Sequence, residues 1–278
     1  WLLILVNTKI GKKYMLLTLF FLLSIGYLTI NFSISLIPTL MIMIITSIII
    51  LIYKDKIKDL PFLFYVVGAV TTYFCWLNFT LLTLALPLIF YYLQAKEEEF
   101  CLKSFFKIVI AYFFGRAVFL VGKWIIVDLI CGTSIIRDGI NQVLYRLSAT
   151  TYLHTKTNFI VAIFRNFLFY CIPFFIVYMY LFMRNLNLNI NKEKTNKKLN
   201  KDVIIIYIFI ALIPFLLYIG VVNYSYIHAK TYTHRLLMIT MYAITILFER
   251  KFDITDIDRK INCHIKRIRK MYINLQAM

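Results

Sequence analysis

The residues best suited to chemistry crowd into one stretch near position 230. The run Asn223-Tyr-Ser-Tyr-Ile-His-Ala-Lys-Thr-Tyr-Thr-His-Arg235 holds Asn223, Ser225, His228, Lys230, Thr233, His234 and Arg235 within thirteen residues. Cations interleaved with hydroxyls suit a phosphate or pyrophosphate, because arginine donates parallel hydrogen bonds to adjacent oxygens and lysine supplies a compact point charge. Histidine adds the side chain best poised for proton transfer near neutral pH. A metal site is poorly supported, since His228 and His234 stand six apart with no carboxylate or cysteine nearby. The plainer reading is a hydrophilic connector whose polar groups meet water.

A second set of candidates is conspicuous for its setting. The apolar run 108–132 carries Arg116, Lys123 and Asp128, and the run 159–183 carries Arg165 seven residues from its start. Ionisable groups inside a bilayer are costly and so mark functional candidates. Arg116 and Lys123, seven apart, share a helix face, and Gly115 and Gly122 line the adjoining strip, where a second helix can approach closely. Lys123, Asp128 and Arg165 fall at comparable depth, which predicts an outward-opening, water-filled pocket. In the alternative, Lys123 and Arg165 extend to the outer interface with Asp128 as a local partner.

The elements that must position these residues are long apolar helices. The chain is 62% hydrophobic and 16% charged over 278 residues, with 25 Phe and 20 Tyr, far from the balance of a soluble domain. Apolar runs occupy 14–31, 35–53, 60–76, 79–93, 108–132, 159–183, 203–222 and 236–248, against the ~20 residues a helix needs to cross a bilayer. The uncharged stretches 14–53 and 60–93 would reach roughly 60 and 51 Å as single helices. Each is therefore read as a hairpin, turning at Asn31, Ser33, Ser35 and Pro38 in the first and at Asn78 and Thr80 in the second. The run 236–248 is short for a span unless its helix begins near Thr231.

Charge supports the same division. With both hairpins in place, 23 of the 31 Lys and Arg residues fall in the segments 7–13, 54–59, 94–107, 184–202 and 249–278, all on one side. Cytoplasmic loops retain lysine and arginine in this way. Arg137, Arg146, Lys156, Lys230 and Arg235 fall on the other side. The expected fold is thus an all-α polytopic transmembrane bundle of about eight spans in the cell membrane, with both ends of the chain cytoplasmic. The formal charge of +18 then reflects topology and does not call for nucleic acid as a partner.

Two further segments have patterns of their own. Within the outer loop 133–158, Ile136, Ile140, Val143 and Leu147 form a helical stripe among Arg137, Asp138, Asn141, Gln142, Arg146, His154 and Lys156, predicting a helix on the outer surface, with a substrate lid as the rival. In the tail, Ile254, Ile257, Ile261, Ile265, Ile268, Tyr272 and Leu275 recur every three or four residues among Arg259, Lys260, Lys266, Arg267, Arg269 and Lys270. That describes a basic amphipathic helix on anionic lipids of the inner leaflet, with a partner-binding helix as the rival. The division is a transmembrane domain over 1–248 and a cytoplasmic tail over 249–278. Trp1 to Val6 reads as the end of a helix begun earlier, so the transmembrane domain is expected to be incomplete at its N-terminus. The cysteines, at 75, 101, 131, 171 and 263, are expected as small buried apolar groups, although Cys75 and Cys131 both approach the outer side, where a bridge is conceivable.

Three segments resemble a family of bacterial multi-spanning proteins similar to the lipid-linked glycosyltransferases of the GT-C type. They are Gly68-Ala-Val-Thr-Thr-Tyr-Phe-Cys-Trp-Leu-Asn-Phe-Thr-Leu-Leu-Thr-Leu-Ala-Leu-Pro87, the stretch from Gly115 to Trp124, and Asn223 to Arg235. Cys75 stands where the pattern has Asp, and Tyr224 where it has His. The resemblance implies a polyprenyl-phosphate-linked sugar as donor at the outer face. It implies Arg235, Lys230 and either Lys123 or Arg165 as neutralisers of the departing phosphate, with His228 or His234 orienting or protonating. A divalent cation is the cofactor such an activity would bring; the residues themselves identify none. The acidic catalytic residue of such enzymes falls in a first outer loop, ahead of residue 1, and no catalytic base is assigned here. Two other classes compete. A transporter or flippase would use Arg116, Lys123 and Asp128 to line a path, though no inverted repeat is visible, and a non-catalytic scaffold would recruit partners through the basic tail.

Overall fold

The computed structural model describes residues 1–25, 37–74, 80–148, 157–169, 200–231 and 233–251. The expected turn residues Asn31, Ser33 and Ser35, Cys75 and Asn78 at the second hairpin tip, His154 and Lys156, the solvated loop before Asn200 and the tail from 252 onward lie outside the described residues. Every regular element among the described residues is helical.

Helix α1 (Leu2–Lys9) turns into α2 (Lys12–Ser24) at Gly11, whose φ of 134° suits a residue without Cβ. Helix α3 (Ile37–Tyr53) extends through a short 3-10 turn, Lys54–Lys56. Pro38, expected in the turn before this helix, instead sits in its first turn, where a fixed φ and a missing N–H cost nothing. Helix α4 (Leu60–Phe74) is capped by Asp59, whose carboxylate accepts from the amide of Phe62 at 3.0 Å. Helices α5 (Thr80–Gln94) and α6 (Leu102–Cys131) follow. The chain leaves α6 through Gly132 in the left-handed region, φ 61°, and enters α7 (Ile135–Leu147), the helix expected on the outer surface. Helices α8 (Phe159–Phe169), α9 (Lys201–Gly220), α10 (Val222–Ile227) and α11 (Leu237–Lys251) complete the set, the last preceded by a 3-10 turn at Thr233–Leu236.

Three helical segments, Ile37–Lys56, Leu102–Cys131 and Lys201–Gly220, are long and apolar enough to cross a membrane. Apolar helices of 10–17 residues occupy parts of the other five runs.

The core is built around α5, in which every residue from Thr80 to Phe90 is buried. A helix apolar on all sides belongs inside a bundle, and α3, α4, α9 and α11 pack around it. The closest pairing joins α4 to α6. A Cβ on Gly68 would overlap the Tyr112 carbonyl, and one on Gly115 would overlap the carbonyl of Tyr65, so two glycines let the backbones touch. A Cβ on Gly122, expected to share that role, would meet nothing within 4 Å, and apolar surface at the C-terminal end of α6 is exposed. Leu129 and Ile130 there are 79% and 78% exposed.

At several points hydroxyls inside the bundle find partners there. Thr18 and Tyr242 share a hydrogen bond at 2.8 Å, and Thr240 donates to the Ala211 carbonyl close to the interior proline Pro214.

One end of the bundle gathers the lysine-rich segments. Lys54 binds the Glu99 carboxylate at 2.7 Å and the Gln94 carbonyl, Asp202 accepts from the Leu102 amide, and Arg250 donates to the Tyr92 carbonyl. The Lys54 hydrogen bond holds the Glu99 carboxyl below its ordinary value. At the opposite end Arg235 meets Ile25, and α7 meets α10. Cys101 and Cys131, expected as buried apolar groups, are exposed unpaired thiols, because each falls at the edge of α6 rather than within its packed face.

Candidate functional site

The polar stretch after Gly220 does not remain an open connector. Val221 breaks the helix, with φ −133° and ψ 63°, and the chain re-forms as α10, in which Val222, Asn223, Tyr224 and Ser225 are all buried. Two neighbours hold it. From α7, the Tyr145 carbonyl accepts from Nδ2 of Asn223 at 3.1 Å, and the Arg146 guanidinium lies 5.9 Å from the centre of the Tyr224 ring. From α8, Nδ2 of Asn166 donates to the Ser225 carbonyl at 2.9 Å, and the guanidinium of Arg165 lies 4.2 Å from the Tyr226 ring. Both arginines are placed to gain cation–π attraction from a partly or fully desolvated ring.

Fully buried Asn166 also accepts from the Thr233 hydroxyl at 2.5 Å, and Thr233 reaches the Ser225 carbonyl at 3.2 Å. The Tyr218 hydroxyl donates to the Thr233 carbonyl at 2.7 Å. This network fixes the loop from α10 to α11. Two polar atoms are buried within it and make no hydrogen bond among the described residues: Oδ1 of Asn223 and Nε of Arg165. The Tyr145 carbonyl accepts only, so the Asn223 amide must present its nitrogen there and its oxygen elsewhere.

His228 packs its ring 4.5 Å from that of Tyr224, so Tyr224 meets both His228 and Arg146. Burial, then the positive charge of Arg146, pull the imidazole's proton affinity below its ordinary value. Burial also lowers that of Arg146, which as an arginine stays charged. Arg146 and His228 thus stand at one aromatic ring, with the guanidinium charge acting on the imidazole. An anion there would offset the repulsion and raise the imidazole's affinity for a proton.

The remaining candidates are dispersed. Lys230 is exposed. His234 sets Nδ1 2.6 Å from the Ala229 carbonyl, which places the proton on Nδ1. Arg235 donates to the Ile25 carbonyl at 3.2 Å, at the C-terminal end of α2, where the helix dipole favours a cation. Lys123 is exposed, with its ammonium 5.9 Å from the Tyr73 ring. Asp128 accepts from the amides of Ile135 and Ile136 at 2.6 and 3.2 Å, so it caps α7. Lys123, Asp128 and Arg165, expected to meet, therefore engage three different neighbours.

Arg116 does enter the bundle. It donates to Thr72 at 3.3 Å and Thr80 at 2.9 Å, within a chain of hydroxyls that includes Thr71, Thr83 and Tyr112. Asn166 and Tyr226 were not singled out from sequence. The signal for Asn166 was present, a second polar residue beside Arg165 in an apolar run, whereas a tyrosine among twenty gives no such signal.

Among the described residues no three His, Cys, Asp or Glu side chains gather to hold a metal. Each oxygen of Asp128 accepts from one backbone amide. Comparison of the chain with family models, with curated proteins and with solved structures found no match in any of the three.

Proposed function

We propose that the chain is a multi-spanning protein of the cell membrane, with about eight spans and both chain ends cytoplasmic. In this reading it acts at the outer face on a phosphate-bearing, lipid-linked sugar, as a glycosyltransferase-like protein of the envelope. The observation that carries the reading is the convergence of Arg146 and His228 on Tyr224, at the end opposite the lysine-rich one. Phosphate oxygens accept from the guanidinium, and the imidazole takes up a proton as negative charge arrives. The basic tail binds anionic lipid of the inner leaflet.

Membrane insertion is supported by the three long apolar helices and by the gathering of Lys54, Lys201 and Arg250 at one end. Arg116 among the threonines of α4 and α5 favours a second reading, transport of a solute through the bundle.

In cells that depend on the protein for a surface glycan, Arg146→Ala and His228→Ala should abolish that glycan while the protein still accumulates in the membrane. Undiminished glycan in both variants would refute transfer at this site. Loss of a solute's uptake in Arg116→Ala, with glycan intact throughout, would establish the transport reading in its place.

A further inference from the structure

Helix α7 divides its surface into three faces that call for three different surroundings. Ile135, Ile136, Gly139, Val143 and Arg146 are partly covered and form the side turned to the protein. A Cβ on Gly139 would overlap the Trp124 ring of α6, which shows how closely α7 lies against that helix. Arg137, Asp138, Asn141 and Gln142 are exposed and polar. Between these two sides, at helical spacing, stand Ile140, Leu144 and Leu147, which are 48%, 59% and 48% exposed. Water is a poor environment for such a stripe.

What covers the stripe follows from the helix that precedes it. The outer half of α6 ends in the exposed apolar residues Ile126, Leu129 and Ile130, on a helix of span length. The chain turns at Gly132, and the Asp128 carboxylate then holds the first two amides of α7 against the end of α6. An exposed apolar stripe on α7 thus follows closely on the exposed apolar end of a helix of span length. We propose that α7 lies in the headgroup region of the outer leaflet, with Ile140, Leu144 and Leu147 in the acyl boundary, clamped there by Asp128. This is the geometry of an interfacial helix, with lipid, water and protein each taking one side. It differs from the expectation from sequence, in which Ile136 and Val143 shared the stripe; those two face the protein. Because α7 carries Arg146 and the Tyr145 carbonyl to α10, its depth in the leaflet also sets their position. The inference requires α6 to span the membrane and is independent of any activity.

The test uses the full chain with its five cysteines replaced by serine, reconstituted in phosphatidylcholine–phosphatidylglycerol vesicles. Single cysteines at positions 140, 141 or 144 carry a bimane fluorophore. Ile140→Cys and Leu144→Cys labels should lose fluorescence to lipids brominated near the headgroup end of the acyl chain and resist aqueous iodide, whereas Asn141→Cys shows the reverse. Equal quenching of all three by iodide overturns the proposal, as does protection of 140 and 144 from both quenchers, which would mean a protein cover such as a second copy. In Asp128→Asn an NH2 donor replaces one of the two oxygens that each accept a backbone N–H, so the label at 144 should shift from lipid towards iodide quenching. An unchanged profile in that variant would remove the clamp from the proposal.

Discussion

His228 is the residue whose chemistry the surroundings change most usefully. Its proton affinity is lowered by burial and by Arg146, so the folded protein binds that proton less readily than the unfolded chain. Stability from this source is complete above the ordinary histidine pKa and falls as the pH drops below it, levelling off below the folded value. Wild-type protein in detergent should therefore lose melting temperature between about pH 7 and pH 5, and His228→Gln should lose less over that interval. An identical slope in both would show that His228 does not titrate in this way. Adding a polyprenyl phosphate to the wild type should raise the imidazole's pKa, read by the proton resonance of the ring, and Arg146→Gln should abolish that response. His228 was legible in sequence as a candidate, but Arg146 was not, because 82 positions separate them and only the docking of α7 on α10 brings the two to one ring.

Helices were the most legible feature, since long uncharged runs can satisfy their backbone in lipid only by coiling on themselves. Contacts between them were partly legible through glycine. Gly115 was expected at a close approach and is found at one, whereas a Cβ on Gly122, one heptad on, would meet nothing within 4 Å. The two therefore make a paired test. Gly115→Ala should force α4 and α6 apart and lower stability by about 1–3 kcal/mol, the usual cost of overpacking, seen as a lower melting temperature in detergent. Gly122→Ala should leave it unchanged or slightly raised, because alanine favours helix where space is open. Equal effects at the two positions would contradict the close packing at Gly115. Asp128 illustrates the opposite case: its charge in an apolar run suggested a pocket, but its oxygens cap the next helix. A residue near a helix end has this option, and sequence depth alone does not reveal it.

For the molecule as a whole, sidedness is the central expectation. With the five native cysteines replaced by serine, a membrane-impermeant maleimide should label Asn141→Cys on intact cells and leave Lys58→Cys unlabelled until the membrane is opened. Labelling of Lys58→Cys from outside would reverse the orientation and with it the outward placement of the Arg146–His228 group. The amino-acid sequence by itself determined that the described residues are helical and where the apolar runs lie, and it carried the expectation that the lysines collect on one side. Each follows from local properties: the length of an uncharged run against bilayer thickness, and the cost of moving charge through it. Tertiary structure alone decided which polar residues meet. Arg146 joined His228, Arg165 joined Tyr226, and Asp128 left both lysine and arginine for the amides of α7. The physical reason is that helix formation is settled within a few residues, whereas a side chain's partner depends on how distant helices dock, and several dockings share one hydrophobic pattern.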